Sequence, residues 1–357
     1  MRNKTKYTIA STVIASSVLL SGCGLFGGDQ TMEEIDPPQN ESYTDDVETV
    51  DQEKTEGNTD VTNDEEAAQE TISRELYLID ANGYVVSQAV DLPKTDGVAK
   101  QVVEYLVDGG PVSEILPTGF RAVIPRDTEV SVNMEGTTVL VDFSKEFTEY
   151  KAEDEQKILE AITWTLTQFE NIEDVEISVN GHKLEEMPVN GTPITEKLSR
   201  ANGINIDNSD VADITSTKPL TVYFIAESDG NEYYVPITKR IDTAEKDNVV
   251  AAVNELIKGP GLAGNLFNDI HGEVELLGSS YADGKVTLDF NEAIFGSFEE
   301  KMISTHVLNT IVLSLTEQTG IESVSITVEG EKGIVNEAGT SVSEPVNRPE
   351  KVNTGSF

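Results

Sequence analysis

Four blocks of this sequence occur twice, in the same order and at nearly the same interval. Glu75–Asp80 (ELYLID) is matched by Thr221–Ala226 (TVYFIA), and Val103–Pro111 (VEYLVDGGP) by Val253–Pro260 (VNELIKGP). Thr138–Phe143 (TVLVDF) is matched by Lys285–Phe290 (KVTLDF), and Thr165–Gly181 by Ser314–Gly330. The intervals are 146, 149, 147 and 149 residues. Such spacing predicts two copies of one domain, and any site can be judged by comparing one copy with the other.

Each copy reads as mixed α and β. Tyr77 and Tyr223 stand in alternating apolar runs that suit partly buried strands. Val98, Val102 and Leu106 share one helix face, and Gly109-Gly110-Pro111 is placed to stop that helix, as Gly259-Pro260 is in the second copy. Two strands follow, turning at Glu135-Gly136 and at Asp283-Gly284. A longer helix carries Ile158, Ile162 and Leu166, repeated as Val307, Ile311 and Leu315, and a last strand ends in a polar-Gly turn. The order β-β-α-β-β-α-β predicts an α+β class, two small sandwich domains in tandem with helices on one sheet face. The expected domains are residues 73–201 and 219–348, with a polar linker at 202–218 and a tail at 349–357.

Ahead of the repeats, Arg2, Lys4 and Lys6 precede an uncharged run from Tyr7 to Leu20. As a helix this run would span ~21 Å, too short for a ~30 Å hydrocarbon core, so it reads as the apolar part of a signal peptide. Leu20-Ser21-Gly22-Cys23 looks like a lipobox, and Cys23 is the chain's only cysteine. The expected leader is residues 1–22, with Cys23 the site of lipidation; stable anchoring needs two acyl chains. Residues 23–72 form an acidic linker: Asp29 to Glu70 holds 16 Asp or Glu and one Lys. A segment with so little apolar pattern should be disordered, a spacer of roughly 35–40 Å as a flexible coil. The competing reading is a tail that folds on a basic partner.

The formal net charge of −40 excludes a nucleic-acid partner and disfavours direct binding to anionic lipid. No GxSxG, HExxH or Walker motif is present. No cofactor and no metal is expected, since Asp207–Asp210 and Ser228–Glu232 are only partial calcium loops. His182 aligns with Glu331, His306 aligns with Lys157 at a position expected to face solvent, and His271 lies in a Gly-flanked loop. The one carboxylate that recurs is Asp142, with Asp289 in the second copy. It lies either on the strand face opposite Phe143 and Phe290 or in a bond to backbone near the turn. Trp164 aligns with Leu313 and so reads as helix core.

The pattern "LYLID … YLVDGGPVSEILPTGF … VDFS … TWTLTQF … VNG", together with "DEQKI", "MPVNGTPI" and "EPVNRPEKVNTGSF", resembles the GerMN-domain family of sporulation and germination lipoproteins. The resemblance runs from Leu20 to the C-terminal "VNTGSF"; only the acidic spacer is uninformative. GerMN domains are similar to the ring-building domains of secretion-type complexes. The resemblance implies an endospore-forming bacterium and a lipid anchor on the extracytoplasmic face of the outer forespore membrane. It also implies protein partners in the channel complex between mother cell and forespore, with association into oligomers or rings among them. It brings no catalytic residue. The reading is a non-enzymatic interaction protein; the alternatives are a cell-wall hydrolase using carboxylates and a ligand-binding lipoprotein.

Overall fold

The structure, a computed structural model, describes residues 70–209, 211, 214–261, 264–296 and 301–354. Cys23, the leader and nearly all of the acidic linker lie outside the described residues. The first repeat runs β1 (Thr71–Ile79), β2 (Val85–Pro93), α1 (Val98–Glu104), β3 (Val130–Glu135), β4 (Thr138–Phe143), α2 (Glu155–Leu166), β5 (Asp174–Val179) and β6 (His182–Lys183). The second runs β7 (Thr217–Ser228), β8 (Asn231–Asp242), α3 (Asn248–Lys258), β9 (Leu266–Phe267), β10 (Leu276–Ala282), β11 (Lys285–Phe290), β12 (Met302–Ile303), α4 (Thr305–Thr316), β13 (Ser323–Val328), β14 (Val335–Asn336) and β15 (Val346–Asn347). The α+β tandem is therefore present. β1 starts two residues ahead of the expected boundary, and the first hairpin turn falls on Gly136-Thr137 instead of Glu135-Gly136.

Each repeat has two strand layers. One is a long hairpin, β1–β2 or β7–β8, the latter extended by β9. The other is a four-stranded sheet, in the order β3-β4-β5-β6 or β10-β11-β13-β15. Within the sheet β4 and β5 are parallel, as are β11 and β13. Parallel neighbours need a crossover, and α2 and α4 supply it. Asp283 and Gly284, at φ 50° and 76°, make the tight turn between β10 and β11.

The helices are more deeply placed than an amphipathic stripe implies. Every residue of α2 from Ile158 to Leu166 is buried, as are Val307, Leu308 and Thr310 to Leu315 of α4. Their hydroxyls explain this. Thr165 Oγ1 accepts from the Tyr77 N–H at 3.0 Å, and Ser314 Oγ accepts from the Tyr223 N–H at 2.8 Å. Gln168 both accepts from and donates to the Glu75 backbone. Helix side chains thus satisfy the outer edge of β1 at Glu75 and Tyr77, while Ile79 bridges the Arg121 backbone on that edge. The hairpins are accordingly buried on both faces: Leu76 to Ile79 and Val222 to Ala226 have no exposed area, against the expectation of partial burial.

Segments 202–218 and 349–357 differ from a plain linker and tail. Asn205 accepts from the Val85 N–H at 2.8 Å and donates to the carbonyls of Val85 and Pro236. Asn353 repeats this with the roles of the hairpins exchanged. It accepts from the Tyr234 N–H at 2.7 Å and donates to the carbonyls of Tyr234 and Ser87. Each repeat therefore ends in a strap whose Asn ties β2 to β8, and the order of contacts along the two strands is reversed. Ile204 and Val352, one residue before each Asn, are buried. Gly203 lets the first strap approach: at φ 86°, an added Cβ would stand 2.9 Å from Thr238.

The motifs DEQKI and MPVNGTPI meet in space. Glu155 receives the Thr192 hydroxyl at 2.6 Å and the backbone N–H groups of Val189, Asn190 and Thr192. Burial alone would raise this carboxyl; the Thr192 hydroxyl and the Asn190 and Thr192 N–H groups outweigh it and hold the group down from 4.5 to about 2.

Two outcomes follow from these bonds. Asn205→Ala and Asn353→Ala each leave backbone groups of β2 and β8 unpaired, and each should cost about 1–3 kcal/mol in urea unfolding. Because the folded Glu155 pKa is depressed, its contribution is complete above pH 4.5 and is lost as pH falls toward 2. Glu155→Gln should flatten the stability profile in that window, measured by denaturation at stepped pH.

Candidate functional site: the seam between the repeats

The carboxylates that recur are engaged in the fold. Asp142 Oδ1 accepts the Gly181 N–H at 2.7 Å, and Asp289 Oδ1 accepts the Gly330 N–H at 2.8 Å and the Thr327 hydroxyl at 2.7 Å. Each holds the polar-Gly turn that ends the neighbouring parallel strand. His182 and His271 are exposed. His306, expected to face solvent, is half-buried; its Nε2 lies 3.2 Å from Glu232 and its ring beside Tyr234. Asp207 forms a local turn with the Ser209 N–H, and Asp229-Gly230 is the positive-φ turn of the β7–β8 hairpin. Trp164 is buried, and its Nε1 donates to the Gly203 carbonyl at 3.1 Å. Among the described residues no three His, Cys, Asp or Glu side chains gather as metal ligands, and no helix is long and apolar enough to cross a membrane.

The concentration of charge lies where the straps cross. Arg200 Nη1 is 2.6 Å from Glu317 and its guanidinium stacks over Trp164 at 4.3 Å. Arg348, from the other strap, reaches Glu317 at 3.6 Å and Glu75 at 3.9 Å, and donates to the Tyr223 hydroxyl at 3.1 Å. Tyr77 and Tyr223 donate to Glu75 and Glu317 respectively. Two guanidinium groups thus face two carboxylates, with two tyrosine rings between them. Burial would lower the Arg200 guanidinium and raise the Glu317 carboxyl. Glu317 holds the first firmly protonated, and Arg200 and Arg348 hold the second below its usual range. Burial pushes both tyrosines well up, so they stay neutral donors. Apolar periodicity gives no sign of this cluster. The signal was there: Arg200-x-x-x-x-Asn205 (RANGIN) and Arg348-x-x-x-x-Asn353 (RPEKVN) are separated by an interval inside the range of the four repeated blocks.

The comparisons with known proteins agree with this architecture. The family model described as Germane, sporulation and spore germination, matches residues 75–185 and 221–333, one segment in each repeat. The chain is 53% identical to the spore germination protein GerM of Bacillus subtilis (strain 168), across all of both chains. It also matches the solved tandem GerMN domains of the sporulation protein GerM from Bacillus subtilis. That match has 57% identity and a TM-score of 0.76, covering 80% of this chain and all of that one. Two strapped copies of one α+β unit, each matched by the same family model, place this chain in the Germane family of sporulation and spore germination proteins.

Proposed function

We propose that this protein is a lipid-anchored, non-enzymatic interaction module of sporulation and germination. Diacylglyceryl-Cys23 would hold it to the extracytoplasmic face of the outer forespore membrane, with the acidic segment as spacer. The paired repeats would bind protein partners in the channel complex between mother cell and forespore. The observation that carries the non-enzymatic reading is the engagement of Asp142 and Asp289. A general acid or base needs a carboxylate free to meet substrate, and both of these are held by turn N–H groups. A surface suited to partners is also present. β10 is an edge strand of uncharged sequence (LLGSSYA), with Leu277 51% and Tyr281 60% exposed. A sheet edge without charged or proline guards is a template for strand pairing.

Two experiments test this reading. Cys23→Ala should abolish palmitate labelling and move the protein from the membrane to the soluble fraction of sporulating cells; retention of either would remove the anchor from the proposal. Asp142→Asn with Asp289→Asn keeps an acceptor oxygen at each turn and should change stability by no more than about 1–2 kcal/mol, with spore formation near normal. A folded, abundant double variant that abolishes spore resistance would favour the hydrolase instead.

A further inference from the structure

Beside the Asn205 strap, between the two repeats, lies a cavity of about 370 Å³. Phe224, Ile237 and Leu266 of the second repeat and Ile206 of the strap give it an apolar wall. The opposite wall is the N-terminal half of α2, and there stands Glu160, only 5% exposed. Its Oε2 accepts the Asn205 N–H at 3.0 Å and its Oε1 the Gln156 side-chain N–H at 3.1 Å. Both donors are neutral, and a carboxylate has about four lone-pair sites, so half of its accepting capacity is open. Among the described residues no Arg or Lys forms an ion pair with it. Lys157, which also lines the cavity, is engaged by Asp154 at 3.4 Å. Burial pushes the Glu160 carboxyl up to about 7, against the weaker pull of the Asn205 N–H, Gln156 and Lys157.

The second repeat shows that the fold does not require this charge. At the same interval that separates Thr165 from Ser314, the counterpart of Glu160 is Asn309. Asn309 is neutral and donates to the Tyr234 hydroxyl at 2.9 Å, so that position is satisfied within the chain. A buried carboxyl with no cation hydrogen-bonded to it is costly to ionise, and this one borders a cavity. Glu153 and Asp207 at the same cavity add negative charge.

We propose that this cavity binds a small organic ammonium ion, its nitrogen paired with the Glu160 carboxylate and its apolar body against Phe224, Ile237 and Leu266. Pockets of this size combine apolar walls with a few convergent polar groups that fix orientation, and here the polar group selects a cation. Because Glu160 also holds the Asn205 N–H, an occupant would brace the strap that ties β2 to β8. The inference is independent of the anchor and of the channel partners.

The test is calorimetric titration of the full chain in nonionic detergent with benzylammonium, benzyl alcohol and benzoate as probes. Benzylammonium should bind saturably at pH 8, with benzyl alcohol and benzoate at least about tenfold weaker. Affinity should fall roughly tenfold at pH 6, where Glu160 takes up a proton while the probe stays charged. Glu153, Lys157 and Asp207 are the other charged groups facing the site. Tyr84, raised above its ordinary value of 10.0 by burial and Asp80, stays neutral throughout. Glu160→Gln should remove both the affinity and its pH dependence. Ile206→Arg, at an exposed rim position, should remove the affinity while leaving the buried carboxylate in place, and so decides the matter if Glu160→Gln does not fold. Equal binding of benzyl alcohol, an affinity unchanged between pH 8 and 6, or unaltered binding by either folded variant would overturn the proposal. So would the absence of saturable benzylammonium binding at about 10 mM.

Discussion

The two asparagine side chains at the ends of the straps hold the architecture in register. β2 and β8 belong to different sheets, so no ladder joins them. A primary amide offers an acceptor and two donors in one plane, and can therefore act as an inserted peptide unit. Asn205 does this for Val85 and Pro236, and Asn353 for Tyr234 and Ser87. The left-handed backbone at both positions, φ 47° and 54°, is tolerated by Asn better than by most residues, so conformation and bonding choose the same side chain. Replacing the amide by an apolar group of similar size would fill the space and still leave the strands unjoined.

The charged cluster follows from the straps. Arg200 and Arg348 each lie five residues before an Asn, so the same segments that tie the hairpins deliver the guanidinium groups to Glu317 and Glu75. Buried ion pairs contribute modestly to net stability because desolvation offsets attraction, but breaking one leaves an uncompensated charge. Their effect here is therefore on specificity. A strap displaced by one residue would strand an Arg without a carboxylate, and the register of the seam is fixed by that penalty. Trp164 reinforces it by offering a ring to Arg200 and an N–H to Gly203.

Much of this was legible in the sequence, and the part that was not has a common cause. The repeat, the element order and the helix faces came from apolar periodicity, and each strand and helix of that order is present. Periodicity reports apolar burial only. It underrated α2, where Thr165 is buried with its hydroxyl bonded to β1, and it passed over both straps, which carry Arg, Asn and Gly. It placed Trp164 in the core but could not show that its indole meets the end of its own repeat. Glu155 stood inside a conspicuous motif, yet nothing in DEQKI says that, besides the nearby Tyr150 hydroxyl, it receives backbone and hydroxyl donors some 34–37 residues away. Polar groups buried for their bonds carry no hydropathy signature, and the repeated Arg and Asn spacing was the only trace.

The second strap also sets an order of events in time. A chain is made from its N-terminus, and Ser87 lies 266 residues ahead of the Asn353 that completes its bonding. Until residue 353 has appeared, the Ser87 carbonyl and the Ala89 N–H, which bonds to the Asn353 carbonyl, lack these partners. The first repeat can form its own hairpin and helices earlier, since those contacts are local. Its seam closes last, by the final strap passing across both copies. Closure thus reports that the whole tandem has been made, and a chain halted partway presents an open β2 edge of the kind that quality-control proteases and chaperones recognise.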